Sequence, residues 1–240
     1  MTEIGTPVSM GSLARPPQMN YQDIYISWSA ARDLIRNRNE VISARNSYQR
    51  TKENQRSFEK AMARLGENNG EISSKMLKDL ILKDPDDFVA QTELGNIYCN
   101  NKLYADAWPL YKHAAELKPD YVNAWFGLGR ADLALKNVVD AIDVLTAAYK
   151  LAPDSADVNH FIGEAYLQNK QGALAIKYMR RAIEISPEQK ADLHLRIAWL
   201  YDAAGAKNLA AEEYKLLLQK KPNHPDKQKM LDYIAANLPN

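Results

Sequence analysis

The sequence predicts an all-α fold of stacked helix hairpins, and three observations carry that prediction. Pro85, Pro119, Pro153 and Pro187 lie 34 residues apart, and Pro222 follows after 35. Gly95, Gly129 and Gly163 keep the same period, as do two sets of alanines: Ala107, Ala141 and Ala175, then Ala114, Ala148 and Ala182. Within a period the markers fall at helical spacing. Trp125, Leu128, Gly129 and Asp132 sit at i, i+3, i+4 and i+7, and Ala141, Leu145 and Ala148 share a face further on. Self-similarity at this period is the mark of a repeat architecture.

The elements follow in order. Residues 1–20, rich in Gly, Pro, Ser and Thr with Pro16 and Pro17 together, read as a flexible tail. Residues 21–65 hold neither proline nor glycine. An N-terminal helix is predicted over 21–54, with Ile24, Trp28, Ala31, Ile35 and Ile42 on one side. Residues 22–66 carry nine basic and five acidic side chains, a small positive bias. Residues 55–87 read as a degenerate repeat. Phe58, Ala61, Met62 and Leu65 mark its first helix, GENNG its turn, and Ile72, Met76, Leu77 and Leu80 its second helix before Pro85.

Four full units are predicted at 88–121, 122–155, 156–189 and 191–224. In each, small residues let two helix backbones approach, and the terminal proline stops the second helix. One hairpin cannot bury its apolar face, whereas stacked hairpins share a continuous core. Pro109 lies inside a predicted second helix and is expected to kink it or delay its start. Residues 225–240 suit a capping helix, with Met230, Leu231 and Ile234 facing in and Lys227 and Lys229 facing water.

Composition narrows the function. The chain has 240 residues, 46% hydrophobic and 25% charged, with a net charge of +1, so no global field marks a nucleic-acid or membrane binder. Cys99 is the single cysteine, which excludes an intrachain disulfide and a cysteine metal cluster. No apolar run reaches the roughly 18–20 residues of a membrane span. The N-terminal MTEIGTPVSMGSLARPP shows no charged-then-apolar leader pattern. A cytoplasmic location is expected from these features together. FGLGR contains Gly-x-Gly, but inside a predicted helix with no preceding strand, so it is no phosphate cradle. His160 and His194 lie about one repeat apart without a third ligand. No catalytic residue, metal site or cofactor is assigned, and no enzymatic activity is expected.

The repeated residues resemble the tetratricopeptide repeat family, whose pattern is W-x2-L-G-x2-Y, then A-x3-F, A and P. The first unit has Leu94, Gly95, Tyr98, Ala107, Tyr111, Ala114 and Pro119; the second has Trp125, Leu128, Gly129, Ala141, Leu145, Ala148 and Pro153. The third has Ile162, Gly163, Tyr166, Ala175, Met179, Ala182 and Pro187; the fourth has Ile197, Ala198, Tyr201, Ala210, Tyr214, Leu217 and Pro222. Asp132 departs from the pattern by replacing a large aromatic. The resemblance implies a right-handed solenoid with a concave inner wall made by the first helices, used for protein–protein interaction.

Helical arithmetic then selects the wall. The core face fixes a second face about 130° around each first helix. On and beside it lie Asn96 and Asn100 in the first unit, Phe126, Arg130 and Leu133 in the second, His160, Glu164 and Leu167 in the third, and Leu195 and Trp199 in the fourth. Aromatic and aliphatic groups interleaved with hydrogen-bonding ones suit an extended peptide or an amphipathic helix. Of the carboxylate-clamp positions known in some members of the family, only Asn96 matches, so binding of an acidic C-terminal tail of that kind is disfavoured. Trp28, Arg32 and Ile35 are candidate docking residues of the N-terminal helix, which also offers a route to self-association. The expected function is an adaptor or assembly scaffold for protein partners within a multiprotein complex. The alternatives are a chaperone of a secretion or assembly system, or a regulatory subunit using its basic N-terminal helix, with nucleic-acid binding unlikely.

Overall fold

The computed structural model describes residues 48–67 and 69–238. The chain divides into units Met1–Ser43 and Ala44–Asn240, and every described residue lies in the second. The tail over 1–20 and the docking residues Trp28, Arg32 and Ile35 fall outside the described residues. The helix expected over 21–54 does not run through its last part: residues 48–51 are non-helical and a new helix begins at Lys52. The Thr51 side chain caps that helix by accepting from the Asn54 N–H at 3.2 Å. A stretch free of proline and glycine permits a continuous helix without enforcing one.

The described residues contain eleven helices and no strand: α1 Lys52–Gly66, α2 Gly70–Lys83, α3 Phe88–Asn100, α4 Tyr104–Leu117, α5 Val122–Leu135, α6 Val138–Leu151, α7 Ala156–Gln168, α8 Gly172–Ile185, α9 Leu193–Ala203, α10 Lys207–Lys220 and α11 Lys227–Asn237. They pair as α1/α2, α3/α4, α5/α6, α7/α8 and α9/α10; each hairpin packs on the next, and α11 packs on α10. The period governs the boundaries themselves. The helices α2, α4, α6 and α8 start at Gly70, Tyr104, Val138 and Gly172, each 34 residues after the last.

Close packing explains the repeated glycines. A Cβ added at Gly129 would lie 2.5 Å from Leu145 Cγ, and one at Gly163 would lie 2.8 Å from Met179 Cγ. Tyr111 is wedged from two sides, since Cβ atoms at Gly95 and Gly127 would stand 2.9 and 2.2 Å from its ring. That ring is fully buried, and its hydroxyl donates to Asn96 Oδ1 at 2.7 Å. Burial pushes its pKa far above the ordinary tyrosine value.

Two further devices repeat with the period. At the fourth position of three units, a side-chain N–H reaches back to the carbonyl of the proline six residues earlier. Gln91 donates to Pro85 at 2.5 Å, Trp125 to Pro119 at 2.8 Å and Asn159 to Pro153 at 2.8 Å. These bonds staple each hairpin to the preceding turn. In the fourth unit the extra residue breaks the spacing, and His194 is buried against Glu213 instead, 2.6 Å away. The turn between the paired helices is the second device. Lys102, Lys136 and Lys170 are left-handed with φ of 62°, 70° and 59°, and Gly205 takes the same place at 76°. The next N–H closes each turn onto the preceding helix, as Leu103 does on the Tyr98 carbonyl at 2.8 Å and Asn137 on Asp132 at 2.9 Å.

Pro109 does not delay α4, which starts on the repeat's own period. It is the sixth residue of the helix, past the four N–H groups that have no intrahelical partner, so it deletes one ladder bond, to the Ala105 carbonyl, and the helix continues through it. Asp132 is a polar tether in place of an aromatic contact: its Oδ1 accepts from Trp108 Nε1 at 2.7 Å and Asn137 Nδ2 at 3.2 Å. In α11, Met230 is buried and Ile234 half-buried, but Leu231 is 40% exposed. Tyr233 takes the inward place expected for Leu231, packing on Tyr214 with centroids 5.1 Å apart. Met230, Tyr233 and Ile234 share a face at i, i+3 and i+4, and Leu231 falls outside it.

Tyr48 and Arg50 tie the first described residues to the hairpins. Arg50 pairs with Asp87 through two bonds of 2.5 and 2.7 Å, its guanidinium stacks 3.8 Å above the Phe58 ring, and both partner side chains are almost fully buried. The Tyr48 hydroxyl donates to Asp84 at 2.7 Å.

Candidate protein-binding groove

The first helices α3, α5 and α7 touch in succession, whereas α9 stands further from α7. The cause is visible in the connection. Residues 187–192 form turns, α9 starts late at Leu193, and the proline staple is missing there. Between α5, α7 and α9 lies an open cavity of about 720 Å³.

Its floor is aromatic. Phe161 lines it, and the buried Phe126, which does not reach the cavity, backs that ring edge-on with centroids 5.3 Å apart. The Arg130 guanidinium lies over both rings, at 5.6 and 5.4 Å. Leu133 closes the floor, Leu195 is half-buried, and Trp199 stands at the rim 53% exposed.

The α9 side is fastened by charge. Arg196 holds Glu164 with two bonds of 2.9 and 2.5 Å, a planar fork on a carboxylate. Lys190, in the inserted turn, reaches Asp157 at 2.5 Å, and Lys221 holds Asp192 at 2.5 Å. His160 Nε2 lies 3.8 Å from Glu164, and its Nδ1 is buried without a hydrogen-bond partner. Burial, then the positive charge of Lys190, lowers the His160 pKa, so the ring is neutral at pH 7.

The candidate wall residues therefore divide. Arg130, Leu133, His160, Glu164, Leu195 and Trp199 line one cavity, with Phe126 supporting it from beneath. Three do not line it. Asn96 is engaged by Tyr111, Asn100 is exposed at the end of α3, and Leu167 packs with the core of the third and fourth units. Phe161, Lys190 and Arg196 were missed by the face arithmetic. Phe161 and Arg196 each sit one residue past a candidate, so a wider face would have included them. Lys190 belongs to the irregular turn and had no helical signal.

Elsewhere the chemistry is quiet. The Cys99 thiol is buried, and burial raises its pKa, which disfavours the nucleophilic thiolate. Among the described residues, no group of three or more His, Cys, Asp or Glu side chains gathers to hold a metal ion. No described helix is long and apolar enough to cross a membrane.

Comparison with known proteins agrees with this architecture. The tetratricopeptide repeat family profile matches residues 103–156 and 126–190. Superkiller protein 3 of Schizosaccharomyces pombe is 28% identical over 137 residues, which is 53% of this chain and 10% of that protein. The chain spans 10–14% of the length of the curated relatives it matches. MamA from Desulfovibrio magneticus superposes with a TM-score of 0.67 at 20% identity, over 73% of this chain and 98% of that one. A thermophilic TPR protein of Thermus thermophilus gives 0.57 at 18% identity, over 78% of this chain and 100% of that one. The stacked hairpins form a tetratricopeptide-type solenoid, a fold whose general role is protein–protein interaction, and residues 103–190 within it match the tetratricopeptide repeat family.

Proposed function

We propose that this chain is an adaptor or assembly scaffold that holds a segment of a protein partner in the groove between α5, α7 and α9. The observation that carries the reading is an open cavity with an aromatic floor and an exposed tryptophan at its rim, on a fold that binds proteins in general. Large aromatic groups in such a place supply most of the free energy of capture, while polar neighbours set register. The hairpin walls are already packed, so binding costs little reorganisation. The groove needs no chemistry of its own, and we assign the chain no enzymatic role. The buried single thiol suits a reducing compartment such as the cytosol. A nucleic-acid role draws less support, because residues 67–240 carry 21 basic against 24 acidic side chains.

Trp199→Ala tests the proposal. Trp199 is 53% exposed and is tied to the core by a hydrogen bond to Tyr214, so its loss should weaken partner capture from native extract while lowering the melting temperature only slightly. Phe126→Ala is unsuitable, because removing a buried phenylalanine costs about 3–5 kcal/mol and would unfold the wall with the site. Undiminished capture by Trp199→Ala would refute the groove reading.

A further inference from the structure

Charge in the groove is unevenly satisfied. Glu164 and Asp192, the carboxylates that line it, are held by Arg196 and Lys221. Lys190 is likewise engaged, by Asp157. Two cations remain. Neither Arg130 nor Lys136 has a carboxylate within 4 Å among the described residues, although both line the same cavity. The surplus is local, since residues 67–240 carry 21 basic against 24 acidic side chains.

The setting of Arg130 matters more than its charge. Its flat guanidinium rests on Phe126 and Phe161, which orient it and leave its N–H fork for a planar anion. Leu133, Leu195 and Trp199 lie in the same cavity and favour a bulky apolar side chain. Resting on the groove reading above, we infer that the occupant is a short protein segment with an Asp or Glu next to a large apolar residue. The carboxylate takes the Arg130 fork, Lys136 adds attraction at the edge, and the apolar group sits against Trp199. Arg130 lies on the second unit and Trp199 on the fourth, so the contact does not reproduce the carboxylate clamp of some family members.

A random twelve-residue peptide phage library, selected on the full chain, tests this inference. The enriched peptides should place Asp or Glu within two positions of Leu, Phe or Trp. A synthetic peptide of that consensus should bind Arg130→Gln at least about tenfold more weakly than the unaltered chain. Replacing the peptide's carboxylate by its amide should cost about the same on the unaltered chain and little more on Arg130→Gln, because the two changes remove one contact. Lys136→Gln, at an exposed site, should lower affinity modestly and flatten its salt dependence without altering the melt.

The failures are distinguishable. If Trp199→Ala abolishes binding and Arg130→Gln does not, the groove stands and the acidic occupant is overturned. If neither substitution matters, both readings fall. Enrichment of basic or uncharged peptides, or of no consensus, overturns the inference as well.

Discussion

Gly127→Ala is the sharpest perturbation of the packing between hairpins. The new Cβ would lie 2.2 Å from Tyr111 Cε1 and 2.5 Å from two more ring atoms. Carbon atoms in good contact stand about 3.5–4.0 Å apart, so the ring or the helix must move by more than about 1 Å. The ring has nowhere to go. It is fully buried, Gly95 closes its other side, and its hydroxyl is held by Asn96. Overpacking a tight core costs about 1–3 kcal/mol, and a confined ring puts this site near the top of that range. Alanine's better helix propensity returns about 1 kcal/mol. The net loss is about 2 kcal/mol, or about 4–8 °C in melting temperature for a folded unit of this size. Thermal and urea melts followed by circular dichroism at 222 nm would measure it. Gly70→Ala and Gly172→Ala are the controls, since their nearest neighbours would lie at 3.9 and 3.7 Å, ordinary contact. Tyr111→Leu combined with Gly127→Ala should be less damaging than the sum of the single changes. A Gly127→Ala protein that melts at or above the parent would refute the wedge.

Three other outcomes follow from the same geometry. Lys136→Gly should stabilise by about 0.5–1 kcal/mol, because glycine adopts the left-handed turn without strain, and Gly205→Ala should destabilise by about 1 kcal/mol; urea midpoints test both. Asp132→Asn should raise the melting temperature at pH 7. Burial holds that carboxyl above the usual range, and both of its donors bond to Oδ1, an atom the amide keeps; the gain should shrink as acid protonates the parent. His160 has a folded-state pKa below its unfolded value of 6.5, so its contribution is complete above about pH 6.5 and is lost as pH falls below it. The melting temperature of His160→Gln should therefore fall less steeply than the parent's over that interval.

The period was legible in the sequence because its causes are steric. Only small residues fit where Gly129 meets Leu145 or Gly163 meets Met179, so those positions repeat by type. The proline staples were not legible, because Gln91, Trp125 and Asn159 share nothing but a side-chain N–H. Their common function appears only once the preceding carbonyl is in place. Helical arithmetic selected Arg130, Glu164 and Trp199, which line one cavity, because side-chain direction follows position on a regular helix. It could not see that Asn96 lies outside that cavity with its amide oxygen held by Tyr111. It also could not see that one inserted residue before α9 would release the staple and open the cavity, since that is a relation between units.

The groove assignment is tested most directly by photo-crosslinking in native extract from two positions, followed by peptide mapping. One crosslinker replaces Gln168, exposed on the cavity wall; the other replaces Glu184, exposed on α8 away from it. The account predicts that Gln168 captures one discrete partner segment, that Trp199→Ala suppresses the capture, and that Glu184 does not join to the same segment. Equal yields of that segment from both positions, or capture at Gln168 that ignores Trp199, would contradict it.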